Sequence, residues 1–560
     1  MDNYSIADQF SLLSKLMDIH GENSFKARSY GAAAFNIEKL PAPLEQIPAE
    51  EIATLKGIGT STAQKIIEIL QTGKMQALED IIQNTPPGIL EMLQIKGLGP
   101  KKIATIWKEM EIESIGELLY ACHENRLSRF KGFGEKTQDN IRTSIEFYQQ
   151  HQDRFLYADV AAVMPGILQY LEKSFGTDNI KLTGAFRKQE LVIDTLEFVI
   201  KGTMAAVKPK FQTAQPPKII EESPSHIIYK LKNGLKLHLH VTESALIETV
   251  FRTSASAAFI DHFQEKFPSI QLDDTTIKSE ELLFQQAGIP YILPCLRDLP
   301  QTIDKAIDGS LPELIEEKDI KGIIHSHSTW SDGVHSIEEM VKGCLKRKME
   351  YLVISDHSKA AAYAGGLSEE KIKQQHYEIE DLNKKYAPFK IFKSIECDIL
   401  GDGSLDYSEA ILSTFDLVIA SVHSNLKMSE EKAMMRLTRA IENPFTTILG
   451  HMTGRLLLSR AGYPVDHKKI IDLCAEKNVV IELNAHPRRL DIDWTWIPYA
   501  LDKGVLISIN PDAHAVEGFD DCKYGVLAAQ KGGLTASNNL SSYPLEAFES
   551  FLLQRRRSIS

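Results

Sequence analysis

Cysteine is scarce. The chain has 560 residues and six cysteines, at positions 122, 295, 344, 397, 474 and 522, with no C-x-x-C pair. That excludes a disulfide scaffold and a cysteine zinc ribbon, and it fits a reducing cytoplasm. Long apolar runs are missing too. No stretch approaches about 18 consecutive apolar residues, so no membrane-spanning helix is expected. The opening Met1-Asp2-Asn3-Tyr4 lacks a basic region followed by an apolar run, so no secretory signal is expected. Positive charge is in deficit, with 63 Lys and Arg against 76 Asp and Glu and a net charge of −13. A uniformly acidic surface repels phosphates, so any nucleic-acid contact must be local. Apolar residues at 43% and charged residues at 25% exclude a wholly disordered chain. At about 150 residues per domain, the length predicts three or four domains.

Histidine is present but unevenly spread. Ten of the 17 histidines lie from His325 onward. Between 320 and about 530 one pattern repeats: a short apolar strand ends in His, Asp or Glu, and a helical stretch follows. The strands are expected at 322–324, 351–354, 391–395, 417–421, 446–449, 479–483 and 505–509. Their spacing suits βα units and predicts a barrel related to the (β/α)₈ type, whose strand C-termini form the active face. The residues just past the strands are His325-Ser326-His327 with Asp332, then Asp356-His357, Glu396, His423, His451, and Asp512-Ala513-His514. Strand alternation points His325 and His327 the same way. Such a set of nitrogen and oxygen ligands without sulfur suits two or three borderline ions such as zinc, manganese or iron. A cluster of that kind makes hydroxide from bound water near neutral pH, here held by His325, His327, Glu396 and His423, and clamps a phosphoester. His486 is a further rim candidate, whereas His335, His376 and His467 read as surface residues.

Residues 1–150 read as helices with short breaks. Three glycine motifs recur: Leu55-Lys56-Gly57-Ile58-Gly59, Ile95-Lys96-Gly97-Leu98-Gly99 and Phe130-Lys131-Gly132-Phe133-Gly134. Each precedes a helical segment, which marks an internal hairpin repeat. Residues 151–250 turn strand-like, around Leu191-Val192-Ile193, Phe198-Val199-Ile200 and 235–241, with a loop at Gln215-Pro216-Pro217. Residues 311–319 form an acidic connector.

The stretches His325-Ser-His-Ser-Thr-Trp-Ser-Asp332-Gly333, Ile354-Ser-Asp-His357-Ser, Glu396-Cys-Asp-Ile-Leu, Val422-His423-Ser424, Gly450-His451 and Asn510-Pro-Asp512-Ala-His514 resemble the ligand motifs of the PHP (polymerase and histidinol phosphatase) family, in order. By that resemblance His325, His327, Glu396 and Asp512 hold one metal. His423 and His451 hold a second with Glu396 bridging, and Asp332, His357 and His514 hold a third. The K-G-x-G turns resemble helix-hairpin-helix motifs, whose glycine turn offers backbone N–H groups to a DNA phosphate. That makes Gly57, Gly59, Gly97, Gly99, Gly132 and Gly134 candidate DNA contacts.

Hairpins, then strands, then a PHP barrel resemble the bacterial family-X DNA polymerases. The run Gly21-Glu-Asn-Ser-Phe-Lys-Ala-Arg-Ser-Tyr30 is similar to their N-terminal lyase-type domain. The run Glu281-Leu-Leu-Phe-Gln-Gln-Ala-Gly-Ile-Pro-Tyr-Ile-Leu-Pro294 is similar to the end of their polymerase core. By resemblance, Lys26, Tyr30 and Lys65 sit where the family contacts a 5′-phosphate or acts in the lyase reaction. The implied fold is multidomain. A lyase-type helical domain spans 1–85 and a fingers-like helix-hairpin-helix domain 86–150. An α/β nucleotidyltransferase-like palm spans 151–250, a small thumb 251–305, a linker 306–320 and a distorted (β/α)₇ PHP barrel 321–560.

The polymerase site departs from the family pattern of G-S-x-R-R, then D-x-D, then a third aspartate. Gly184-Ala185-Phe186-Arg187-Lys188 stands for the first element, so Ala185 and Lys188 replace the serine and second arginine that grip a triphosphate. Thr195 and Glu197 fall at D-x-D, with Asp194 one place off. The third position falls near Lys236 or His238. Two-metal nucleotidyl transfer needs about three carboxylates, so Mg²⁺ is not expected there. Lys321, Arg455, Arg488 and Arg489 are candidate phosphate contacts near the rim, and Arg555-Arg556-Arg557 reads as an exposed basic tail. The activity implied is a metal-dependent 3′→5′ exonuclease acting on gapped, nicked or single-stranded 3′ ends in the cytoplasm, with repair proteins as a further partner class. The rival readings are an active gap-filling polymerase, a DNA-docking front half without chemistry, and a phosphatase of small phosphoesters.

Overall fold

The structure is a computed structural model. It describes residues 2–123, 127–130, 132–150, 153–212, 216–274, 276–458 and 461–557. Lys131 and Gln215, both named in the sequence reading, lie outside the described residues. The chain divides into two compact units, residues 1–152 and 153–560.

The first unit is helical. Each of its three glycine turns is built alike. Gly57, Gly97 and Gly132 take φ of 79°, 90° and 94°, a left-handed conformation that glycine adopts without a Cβ penalty. The residue after each, Ile58, Leu98 or Phe133, is buried and donates its N–H to the carbonyl three residues back. The second glycines, Gly59 and Gly99, cap the helices Thr60–Thr72 and Pro100–Lys108, and Gly134 precedes Glu135–Gln150. One buried side chain thus anchors each turn and leaves both glycines exposed.

The second unit opens with a five-stranded sheet in the order Ile180–Thr183, Thr195–Lys201, Lys236–Thr242, His226–Lys230, Lys218–Glu222. Alternation sorts its faces. Leu196, Phe198, Ile200, Leu237 and Leu239 enter the core, while Thr195, Glu197, Lys236, His238 and His240 share the other face. Four short helices follow around Phe251, Phe259, Phe263 and Phe284. Among them Arg297 is fully buried and ion-paired to Glu280, which also binds Arg187.

The last part is a sheet of seven parallel strands in sequential order: Gly322–Ile323, Tyr351–Ile354, Lys390–Asp398, Leu417–Ser421, Thr446–Leu449, Val480–Asn484 and Ile507–Asn510. A helix lies between each consecutive pair. Ser336, Ser368, Ser429 and Asp466 cap four of these helices with their side chains, closing otherwise unmet N–H groups. A bridge between Ser326 and Ala513 brings the first and last strands together, so the barrel nearly closes. The acidic stretch read as a connector is pinned to this barrel: Ile315 is buried, donates its N–H to the Leu534 carbonyl and accepts at its own carbonyl from the Gln530 side-chain amide. No described helix is long and apolar enough to cross a membrane.

Candidate metal centre

Nine side chains converge beyond the C-terminal ends of the barrel strands. His325, His327, Glu396 and Asp512 form one group. His327, Asp332, His357 and His514 form another, and His357, Glu396 and His423 a third. Glu396 is the common member: its Oε1 lies 3.1 Å from His423 Nε2 and 3.0 Å from His451 Nε2, and its Oε2 3.0 Å from His357 Nδ1. The grouping differs in detail from the expected one. His357 stands between two groups, and His327 joins the outer one. Burial grades across the cluster, from fully buried His325 and His327 to Asp332 and His514 at 32% and 41% exposure. The outer group therefore faces the entrance.

The first strand ends at Ile323, so His325 and His327 do not converge by strand alternation. The backbone instead turns left-handed at His325, with φ 65°; Asp512 does the same, with φ 52°. Such a conformation costs a non-glycine residue about 1–2 kcal/mol. The convergence of the side chains is the reason it is held here.

The donor set fits divalent ions. His325 Nε2, His327 Nδ1 and Glu396 Oε2 are buried without a hydrogen bond and lie inside the cluster. Burial resists charge on His357, but Glu396 and Asp332 outweigh it and carry that imidazole up to about 10. His423 rises to about 9, against its burial, by the pull of Glu396 and Asp398. A field that holds protons on buried rings will also attract dications.

Sequence reasoning missed two of the groups that orient the ligands, Glu482 and Asp398, and named Asp356 only among the residues just past the strands. Glu482, fully buried on Val480–Asn484, takes His325 Nδ1 at 2.6 Å and accepts from His451 N–H, Asn484 and Asn510. Asp398 holds His423 Nδ1 at 3.2 Å. Asp356 accepts from Ser328, Ser331 and Gln375, bracing the loop that carries His327 and Asp332. A carboxylate within a wholly apolar strand was the available signal for Glu482.

Several other expected site residues sit elsewhere. His486 belongs to none of the groups, and its Nδ1 accepts from Arg488 N–H. His376 packs edge-on against Phe415 and is lowered by burial to about 4; His467 stacks on Trp496. Both are half-buried rather than surface residues, and so is His335, which accepts from Val516 N–H. Lys321 precedes the first barrel strand, at the end opposite the ligands. Arg455 braces Asp493 and two backbone carbonyls. Arg489 does reach the rim, 3.7 Å from Asp512, and Arg488 beside it is exposed. Arg555, Arg556 and Arg557 end the helix Leu545–Arg557. Arg555 binds the carbonyls of Thr446 and Asn478, and Arg556 pairs with Asp416, so they are no free tail.

In the palm, Glu197 packs against Gly184 and faces His238 and His240 across the strand pair. Ala185 is half-buried beside them in sequence, in the short helix Gly184–Arg187. Asp194 is exposed in the bend before Thr195–Lys201, and Lys236 pairs in register with Thr195. Lys188 is turned away to a buried network with Asp298 and Lys531 of the barrel helix Cys522–Lys531, which takes it out of any triphosphate grip. In the first unit, Lys26 is exposed and Lys65 half-buried. Tyr30 is 3% exposed and packs on Phe10, so the core takes it rather than a phosphate.

Comparison with known proteins agrees with this layout. A helix-hairpin-helix domain profile matches residues 1–75, a SAM-like helix-hairpin-helix tandem matches 89–146, and a PHP domain matches 324–486. The DNA polymerase/3′-5′ exonuclease PolX of Bacillus subtilis is 32% identical over 559 residues, covering 96% of both chains. A probable phosphatase of Thermoanaerobacter sp. is 24% identical over 246 residues, 42% of this chain and 95% of its own length. DNA polymerase lambda of Arabidopsis thaliana is 24% identical over 200 residues, 35% of this chain and 34% of its own. With hairpin turns in front, a nucleotidyltransferase-like palm and thumb between, and a PHP barrel behind, the chain belongs to the PolX family, the bacterial family-X DNA polymerases.

Proposed function

We propose that this protein is a metal-dependent 3′→5′ exonuclease that trims gapped, nicked or single-stranded DNA ends in its barrel, with a palm that does not support templated synthesis. The observation that carries the first part is the cluster centred on Glu396. His325, His327, Glu396 and Asp512 would hold one ion, Glu396 with His423 and His451 a second, and Asp332, His357 and His514 a third. Manganese, zinc and iron all suit these donors. Bound ions of this class acidify water and offset the charge of a phosphodiester in displacement. The protein's own part is placement. Glu482 and Asp398 fix the rings of His325 and His423. Arg488 and Arg489 stand where a phosphate backbone would approach the exposed outer group.

The second part rests on the carboxylate count. Glu197 is the only acid in the paired strands Thr195–Lys201 and Lys236–Thr242, where about three carboxylates would be needed to hold two Mg²⁺ ions. The exposed turns at Gly57, Gly59, Gly97, Gly99, Gly132 and Gly134, with Lys26 and Lys65, would grip DNA through its phosphates. We assign the domain limits proposed from the sequence to the same division of labour: 1–85 and 86–150 for grip, 151–250 and 251–305 for the silent core, 306–320 as a linker and 321–560 for cutting.

A 5′-labelled primer–template with Mn²⁺, run with and without nucleotides, tests both parts. Shortening that disappears in the His325→Ala/His327→Ala variant, without extension, is the expected result. Extension that Glu197→Ala abolishes would overturn the silent palm. Similarity of the barrel to the Thermoanaerobacter probable phosphatase favours a second reading, hydrolysis of small phosphoesters. Faster turnover of histidinol phosphate than of single-stranded DNA would favour it over the first.

A further inference from the structure

The palm face that lacks a polymerase's full set of carboxylates is not empty of chemistry. Glu197, His238 and His240 each offer a ligand atom, and these atoms lie within 4.8 Å of one another. Register puts them there: His238 and His240 alternate on Lys236–Thr242, and Glu197 pairs with His238 on the parallel neighbour strand. Glu197 Oε2 lies 2.9 Å from His240 Nε2 and 3.5 Å from His238 Nδ1. The two rings stand 3.8 Å apart between centroids. All three side chains are 17–20% exposed. His238 Nε2 is buried and has no hydrogen-bond partner.

The surroundings fix this set at three ligands. A Cβ at Gly184 would fall 2.1 Å from Glu197 Oε1, so only glycine, here at φ 69°, lets the carboxylate lie in this position. His226, on the next strand, stands 5.1 Å from the His238 ring but has Ser223 and Glu221 on its two nitrogens. Two imidazoles and a carboxylate with an open fourth position are a zinc-type set. Mg²⁺ demands oxygen donors and near-octahedral geometry, which this face lacks.

We propose that the palm binds a single borderline dication of the zinc class through Glu197, His238 and His240, with its fourth position left to water. This site is separate from the barrel cluster and stands whether or not the barrel is an exonuclease.

Metal-stripped full-length protein, dialysed against Zn²⁺ or Co²⁺ and analysed for bound metal, tests it. The His238→Ala/His240→Ala variant should bind about one ion per chain fewer than the wild type. It should also lose a visible Co²⁺ band of tetrahedral intensity. Hydrolysis of a small chromogenic phosphodiester by the barrel should be unchanged, which shows that the barrel ions are still in place. The His325→Ala/His327→Ala variant should keep the palm band. Equal metal content and an identical Co²⁺ spectrum in wild type and palm variant would overturn the proposal. Should the alanine pair fail to fold, His240→Gln and Glu197→Gln give the same reading: an unchanged ion count in both overturns it.

Discussion

Glu482→Gln is the sharpest test of how the barrel site is held. Glu482 is fully buried, and its four hydrogen-bond partners are donors or can act as donors. One oxygen takes His325 Nδ1 at 2.6 Å and Asn510 Nδ2 at 2.8 Å; the other takes His451 N–H at 3.1 Å and Asn484 Nδ2 at 3.2 Å. Glutamine keeps the volume but offers one oxygen and one NH₂. Whichever way the amide turns, two donors then face two donors. If the NH₂ meets His325, Nδ1 must accept, the ring proton moves to Nε2, and the nitrogen aimed at Glu396 is no longer a ligand. If it meets His451, the main chain that sets that ring is left unmet in a buried place, at a cost of about 1–3 kcal/mol. Loss of a partner that orients a metal-bound histidine lowers affinity or activity about 10–100-fold, or about 1.4–2.8 kcal/mol. A Mn²⁺ titration of exonuclease rate should move its midpoint upward by that factor, with far-UV circular dichroism unchanged. A Glu482→Gln protein with the wild-type midpoint and maximal rate would refute the reasoning, because His325 would then need no tautomer control.

The other expectations follow from the same contacts. Asp398→Asn should weaken the site by a similar route through His423 but less than Glu482→Gln, since Asp398 touches one ligand ring and Glu482 serves two ligands; the same titration ranks them. Gly97→Ala and Gly132→Ala place a side chain at φ of 90° and 94° with no neighbour within 4 Å, so their effect is backbone strain, about 1–2 kcal/mol each. Each turn lost from DNA should reduce the slope of log affinity against log salt by about 0.9 per phosphate contact, read by fluorescence anisotropy. Burial pushes the Glu280 carboxyl up, but Arg297 and Arg187 outweigh it and hold it below its ordinary 4.5. A carboxyl depressed by folding stabilises fully above its unfolded value and loses that contribution as pH falls through the folded one. Thermal stability should therefore drop below about pH 4.5, and Glu280→Gln should remove that part of the profile at a cost of about 3–5 kcal/mol. Arg555→Ala should destabilise the barrel by about 1–3 kcal/mol by unpairing two backbone carbonyls. It should leave DNA affinity unchanged in the anisotropy assay.

What could be read in the sequence, and what could not, divides along one physical line. A barrel ligand shows itself because a parallel strand buried on both faces is a continuous apolar run, and the polar residue that ends it stands out. Strand ends therefore yielded His357, Glu396, His423 and His451, and the same logic placed Asp512 and His514. Glu482 and Asp398 are equally polar, but Asp398 comes two residues after Glu396, and Glu482, though it follows Val479-Val480-Ile481, is itself followed by Leu483, so each also reads as the outward residue of an alternating strand. Telling them from exposed residues requires knowing that the strand is covered on both faces, which is a property of the closed barrel. The hairpin turns were legible for a different reason: a left-handed glycine and its buried neighbour are local, so three copies repeat in the letters.

The errors came from charges whose partners are far away in sequence. Lys188 stands where the family pattern has a second arginine. Its actual partners, Asp298 and the site of Lys531, are 110 and 343 residues away. Lys531 is itself fully buried, between Asp298, Glu190 and the Lys188 carbonyl. A lysine is buried only where acids offset the loss of its hydration, and here one comes from the palm side and one from the thumb side. That network ties palm, thumb and barrel together. Arg556 and Arg557 are exposed as expected, but Arg555 was misread, since a run of like charge gives no hint of the carbonyls that receive it. Replacement of the grip by a structural lysine goes together with the missing carboxylates. Restoring aspartates at 195 and 197 alone should not restore synthesis, because Lys188 would remain committed to Asp298. A Thr195→Asp/Glu197→Asp variant that extended a primer would show that the palm lost only its acids.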